Sequence, residues 1–107
     1  MQRRDDDHRI AKALADAQRL AILDAIAAAG ELSCAALCER FPVAQATISH
    51  HLKELAGAGL VTRRREGQFA IFAFQHEVLA AWLARLGRRL RISTPARVAR
   101  VKVAPRR

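Results

Sequence analysis

The chain contains no Tyr, one Trp and four Phe, so aromatic residues make up only 5% of it. Sandwiches and barrels draw heavily on aromatic and β-branched residues. A chain this poor in them and this rich in alanine is predicted to be mainly helical. Cysteine is scarce too, with two residues and no Cys-x-x-Cys pair. That argues against a disulfide-stapled secreted scaffold and for a reduced, cytoplasmic setting. The opening Gln-Arg-Arg-Asp-Asp-Asp-His leads into no apolar signal-peptide core. No apolar run reaches the roughly 18 residues that a membrane span requires. A Gly-rich phosphate loop, a supported Ser/His/Asp constellation and a metal-binding motif are all missing, so catalysis is not expected.

Acidic residues are missing from one half in particular. Residues 60–107 hold 12 basic and 2 acidic residues, against 7 and 8 in residues 1–59, and the whole chain carries +9. Positive potential concentrated in this way points to a polyanionic partner, a nucleic acid before a merely Arg-rich surface, and the helix described next makes that partner double-stranded DNA, with no membrane expected.

What is present is organised around residues 42–61. Ile48, Leu52 and Leu55 fall at i, i+4 and i+7, which marks one side of a helix. Gln45, Thr47, Ser49, His50 and Lys53 supply polar side chains near the start of that helix. Such groups reach base edges and phosphates from within a major groove. Gly57 and Gly59 then interrupt, and an extended segment begins at Leu60. The pattern reads as the second, base-reading helix of a helix-turn-helix, followed by a wing.

A chain of 107 residues is one domain that buries roughly 65% of its unfolded surface. Residues 1–7 read as a polar lead-in, residues 8–90 as a DNA-binding and dimerisation domain, and residues 91–107 as a flexible basic tail. A first helix is predicted over residues 8–16, carrying Ile10, Ala13, Leu14 and Ala17 on one stripe. Asp16 suits the N-cap of a second helix over residues 17–29, and Gly30 suits its end. Its Leu20, Leu23 and Ala27 on one side and Ile22 and Ile26 on another place it mid-core. Ser33 caps a third helix over residues 34–40, with Cys34, Leu37, Cys38 and Phe41 on its stripe. Pro42 makes the turn, and the fourth helix then starts without a capping side chain, since Ala44 stands at its N-cap.

Residues 60–65 and 69–74 flank a three-residue loop, Glu66-Gly67-Gln68, and form a hairpin. Alternation should point Arg63 and Arg65 one way and Arg64 the other, towards phosphates or a minor groove. The phenylalanines of the second strand do not alternate strictly, which suggests cover on both faces. A last helix over residues 76–90 carries Val78, Leu79, Trp82, Leu83, Leu86 and Leu90. So broad a stripe on so small a chain suggests burial against a second copy, with Leu14, Leu79, Trp82, Leu83 and Leu86 at the interface. The expected fold is mainly α with a small β-hairpin, a dimeric winged helix-turn-helix of order α-α-α-α-β-β-α.

Three groups of residues carry a closer likeness. They are Ala13-Leu14-Ala15-Asp16, Arg19-Leu20-Ala21-Ile22-Leu23, and the run from Gln45 to Leu55 with Ala58-Gly59-Leu60-Val61. Together with the Arg63-Arg64-Arg65-Glu66-Gly67 wing they resemble the ArsR/SmtB family of bacterial winged-helix repressors, over about residues 8–88. The resemblance implies a homodimeric repressor that binds an inverted-repeat operator and is released by an effector. The alternative is a DNA-binding regulator that senses nothing itself and is controlled by expression level or a partner protein.

The family's Cys-x-Cys pair of the third helix would fall at Ser33 and Ala35, and is absent. The last-helix zinc ligands are also missing. His76 and Glu77 sit near that helix's start, but the partner positions around Gly87 and Leu90 bind no metal. Cys34 and Cys38 remain, at i, i+4. They read either as small buried hydrophobes or as a thiol site for a soft metal or metalloid. No other cofactor is implied. His50 and His51 lie roughly 100° apart around a helix and cannot chelate one ion together. His50 is placed towards DNA, and His51 beneath the helix as a hydrogen-bonding residue.

Overall fold

The computed structural model describes residues 2–93, with side chains from Asp6 onward. Residues 94–107, which hold most of the expected basic tail, lie outside the described residues. In chain order the elements are α1 (Gln2–Leu14), α2 (Ala17–Ala29), β1 (Glu31–Ser33), α3 (Cys34–Arg40), α4 (Gln45–Gly57), β2 (Val61–Glu66), β3 (Phe69–Phe74) and α5 (His76–Arg89). Among the described residues, no helix is long and apolar enough to cross a membrane.

Local chemistry explains most boundaries. Asp16 caps α2, its Oδ1 accepting the Arg19 N–H at 2.9 Å, and Ser33 Oγ caps α3 by accepting the Ala36 N–H at 3.0 Å. Phe41 closes α3 by donating its N–H to the Leu37 carbonyl. At the end of α4, Gly59 adopts φ +79°, and the N–H groups of Gly59 and Leu60 return to the carbonyls of Ala56 and Leu55. This left-handed closure buries Leu60 against Leu55 and aims the chain into β2.

Three features differ from expectation. The helix predicted to start at residue 8 begins at Gln2, because its first turns are held by the far end of the chain. Trp82 donates its indole N–H to the Asp7 carbonyl at 3.2 Å, and Arg85 grips the Asp7 carboxylate. The hairpin loop has two residues, not three, since Glu66 pairs with Phe69. Gly67 takes φ +62°, the geometry that lets a two-residue loop follow the strand twist. A third strand, β1, has no counterpart in the expected order. Three residues are too few to show a period, and β1 exists only by pairing antiparallel with β3, Leu32 opposite Phe72. The sheet order is therefore β1-β3-β2. Helices α2 and α3 both pack against β3, whose Phe72 is buried and Ile71 and Phe74 half-buried while Phe69 is exposed.

The core is formed by Ile10 and Ala13 of α1, Ile22, Leu23 and Ile26 of α2, Leu37 of α3, and Ile48, Leu52 and Leu55 of α4, closed by Leu60, Val61, Phe72 and Trp82. Leu20, expected inside, is 47% exposed. At 100° per residue it stands about 200° from Ile22, off the face that α2 turns inward. With Ala17, Ala27, Phe74 and Leu79 it lines a shallow groove of about 550 Å³.

A polar cluster fixes α4 over α1 and α2. Arg19 donates to the α1 carbonyls of Ala13 (2.8 Å) and Lys12 (3.3 Å), satisfying groups that the helix end leaves open. Its guanidinium also reaches His51 Nδ1 at 3.3 Å, while His51 Nε2 meets Gln18 Oε1 at 3.0 Å. Arginine has only donors, so Nδ1 accepts and Nε2 carries the proton, which makes His51 a neutral imidazole of one tautomer. His51 is the only polar residue in the core among those described, in the structural role expected for it.

Burial holds the His51 pKa below its ordinary value of 6.5, with Arg19 and His50 adding to the shift and Asp16 opposing it. The folded state therefore takes up this proton less readily than the unfolded chain. The resulting stability is complete above about pH 6.5 and is lost as pH falls through the folded-state value. In denaturant titrations the His51→Gln variant should lose less stability than the parent between pH 7 and 5. Parallel curves would show that His51 does not couple folding to protons.

Candidate nucleic-acid interface

The turn that delivers α4 is short. α3 ends at Arg40 and α4 begins at Gln45, with Pro42 between them where neither helix can continue. Ala44 provides no side-chain cap, so the first turn of α4 keeps N–H groups free for another acceptor. Ile48, Leu52, Leu55 and His51 face inward. That leaves Gln45, Ser49, Lys53 and His50 exposed.

The exposed residues do not all point one way. Gln45, Ser49 and Lys53 are four residues apart and line one wall of a groove of about 940 Å³. The opposite wall is the hairpin, through Arg63, Arg65 and Gln68. His50 is exposed on the outermost face of α4. Thr47 is half-buried and stands roughly 160° from Ser49, on the flank away from the hairpin. The groove thus brings together five of the eight residues expected to meet DNA, and leaves Thr47, His50 and Arg64 outside it.

Arg64 is engaged elsewhere, as alternation requires. It makes a two-bonded clasp on Glu31 of β1 (2.8 and 3.0 Å) and also bonds Glu66 Oε2 (2.7 and 2.9 Å). The Arg64 guanidinium holds the Glu31 carboxyl below the usual carboxylate range, and the two carboxylates raise the pKa of Arg64 in turn. The cluster is half-exposed, so it contributes little to stability, but it neutralises one wing charge. Among the described residues, Lys53, Arg63 and Arg65 have no ion pair. Gln18, Arg19 and Glu31 escaped the sequence reading as residues that shape this surface. Their contacts span 32 or 33 positions, beyond any local pattern.

The floor of the groove is apolar and contains both cysteines. Cys34 and Cys38 lie beside Leu52, Phe69, Ala70 and Phe72. Both are free thiols, half-buried. Burial pushes the Cys38 thiol above its ordinary range, and the neighbouring Cys34 pushes the same way. Among the described residues, no three His, Cys, Asp or Glu side chains gather as a metal site.

The residues expected at a dimer interface divide. Trp82 is buried within a single chain against α1, so its indole supports α5 from beneath. Leu14, Leu79 and Leu86 are half-buried, and Leu83 is 53% exposed.

Comparison with known proteins fits this architecture. A family model described as a helix-turn-helix domain matches residues 14–64. The arsenical resistance operon repressor of Staphylococcus xylosus is 43% identical over 70 residues, which cover 65% of this chain and 66% of that protein, just under two thirds of its length. An ArsR-like transcriptional regulator from Rhodococcus superposes with a TM-score of 0.73 at 25% identity, over 98% of this chain and 97% of that one. A homodimeric winged helix-turn-helix DNA-binding domain from Mycobacterium bovis superposes at 0.66 with 32% identity, over 77% of this chain and 76% of that one.

The division among the wing arginines is measurable. Replacing Arg63 or Arg65 by Ala should lower the slope of log affinity against log salt by about 0.9 each, the share of one neutralised phosphate. Arg64→Ala should leave that slope nearly unchanged, since its charge is already paired. Equal slopes for all three variants would contradict the assignment.

Proposed function

The chain belongs to the ArsR/SmtB family of winged helix-turn-helix transcriptional regulators, and from that premise we propose that it is a homodimeric repressor of the reducing cytoplasm. It binds an inverted-repeat DNA operator and lets go when an effector occupies Cys34 and Cys38. The observation that carries the DNA-binding reading is the groove itself. An uncapped helix start, three uncompensated cations and two hydrogen-bonding side chains converge on one concave surface.

Each part has a physical role. Gln45 and Ser49 read base edges in the major groove, from the first turns of α4. Lys53, Arg63 and Arg65 take phosphates, set the register and confer salt dependence. His50, outermost on α4, adds a contact on the same side, and Thr47 serves the phosphate flanking the far wall. Arg64 holds the wing to β1.

A two-fold operator needs two recognition helices at fixed separation, which a two-fold dimer supplies. Leu79, Leu83, Leu86 and Leu90 recur at i, i+4, i+7 and i+11 along α5, the spacing of a helix-pairing seam. Leu83 and Leu90 are 53% and 59% exposed in the single chain. The seam, flanked by Leu14 of α1, is the surface that the partner covers, with Trp82 as its internal support. Domain boundaries follow from this role: residues 8–90 bind DNA and dimerise, and residues 2–7 form the start of α1. The basic stretch from residue 91 adds non-specific attraction.

Sensing rests on the two adjacent thiols and on the relationship to arsenical repressors. Soft thiolate ligands select soft metals and metalloids. Without the thiols the chain would be a regulator controlled by its own abundance or by a partner protein.

Base reading is tested with DNA from upstream of the chain's own gene. Replacing both Gln45 and Ser49 by Ala should cost about 1–3 kcal/mol per base pair that the parent reads through them, and affinity for unrelated duplexes should change little. Equal affinity of parent and variant for the preferred site would remove the assignment.

The dimer seam is tested by sedimentation. Leu83→Glu should give a folded monomer with much weakened operator binding. Trp82→Ala should instead lower the stability of the chain itself, by about 3–5 kcal/mol. A Leu83→Glu protein that still sediments as a dimer would place the interface elsewhere.

A further inference from the structure

DNA recognition as read above uses only the walls of the cleft between α4 and the hairpin. The floor has no part in it. Cys34 and Cys38 of α3, Leu52 and Ala56 of α4, and Ala70 and Phe72 of β3 form an apolar base to a cleft of about 940 Å³. Phosphates bind cations and hydrogen-bond donors and gain nothing from such a base. A concave apolar surface rimmed by a few polar groups is the form that small-molecule sites take.

The rim charges stand beside that base. Arg63 is opposite Phe72 and Arg65 opposite Ala70 in the sheet register, so each pair shares a face. Lys53 lines the cleft from α4, and no Asp or Glu lines it among the described residues. Among those residues, none of the three cations has an ion pair. Gln45 and Lys53 both line the α4 wall, and their separation in sequence spans about 12 Å along a helix. The cleft is therefore a trench, longer than a head group, apolar beneath and positive at its rim. Its complement carries one negative head and one apolar chain.

We propose that this trench binds a single-chain amphipathic carboxylate, the free acid of a medium-length acyl chain, and that the bound acid excludes DNA. The second half rests on the reading of the same cleft as the DNA-binding surface. The chain lies on the apolar floor, where each methylene removed from water adds about fourfold in affinity. The carboxylate takes the forked N–H donors of Arg63 or Arg65, with Lys53 adding its charge. Those cations then no longer serve phosphates, and the acyl chain stands between the two walls. No bond to sulfur forms, so this release is separate from ligation at the thiols. A bilayer is too broad to enter the trench, which commits the site to the free acid.

The test uses the reduced full chain, with ligands below their micellar concentrations and at one ionic strength. Calorimetry should show one decanoate per chain. Decanoate should bind about fiftyfold or more tightly than butyrate, even with half of the differing methylenes buried. It should bind about tenfold more tightly than decanol, which lacks the charge. The Arg63→Ala, Arg65→Ala double variant, its folding checked by circular dichroism, should lose affinity for decanoate and keep that for decanol. Equal binding of butyrate and decanoate would overturn the apolar floor, and equal binding of decanol and decanoate would overturn the head-group site. Many decanoates per chain would overturn a defined site altogether. Decanoate, but not butyrate, should release a fluorescent duplex bound at low salt. Phosphatidylglycerol vesicles at equal lipid concentration should release less; equal or greater release would assign the cleft to a membrane surface. Decanoate that binds and leaves the duplex in place would overturn exclusion. If the parent binds no duplex, the DNA-binding reading fails, and calorimetry still decides the ligand.

Discussion

The recognition helix is held from beneath by a neutral imidazole. His51 accepts from Arg19 and donates to Gln18, and Arg19 simultaneously closes the end of α1. One arginine thus joins the end of α1, the start of α2 and the middle of α4. A buried polar group without partners would cost more than the packing around it returns. Here both ring nitrogens are satisfied, and no buried side-chain polar atom among the described residues lacks a partner. Hydrogen bonds are directional, and apolar contacts alone would let α4 rotate or slide. The cluster therefore specifies which face of α4 points outward, and with it the direction of Gln45, Ser49 and Lys53.

The wing is organised by a different constraint, the period of a strand. Three consecutive arginines cannot serve one surface, since neighbours point to opposite faces. The protein uses both faces. Arg64 clasps Glu31 and Glu66 and ties the hairpin to β1, while Arg63 and Arg65 remain uncompensated in the groove. Separating a structural charge from two available ones keeps the wing rigid without reducing the field on the side that faces α4. Backbone pairing with β1 on one edge and β2 on the other makes β3 the central strand, and its Phe72 lies in the core.

The apolar floor of the groove gives it a second character. A surface made only to meet phosphates would not need an exposed phenylalanine and two thiols at its base. Cys34 and Cys38 lie on the apolar stripe of α3 and pack against the core, yet they are reachable from the groove. Packing on the core stripe and access to a cleft, which look like alternatives along a helix, are compatible at the boundary between the two.

Much of this was legible in order along the chain. The five helices follow from apolar spacing, the starts of α2 and α3 from Asp16 and Ser33, and the hairpin from two short runs around Gly67. The split of the wing arginines and the inward position of His51 follow from the periods of strand and helix. These features are local: backbone geometry and side-chain reach settle them within a few residues. Tertiary structure alone decided the rest. The first turns of α1 are secured by Trp82 and Arg85, some 75 positions away. β1 exists because β3 offers an edge, and Leu20 is exposed because α2 turns its other face inward. Arg64 is paired because Glu31 stands beside it across the sheet. The groove, lined by both thiols and by polar and basic side chains of α4 and the hairpin, joins α3, α4 and the hairpin. Its residues share no period, and only folding brings them together.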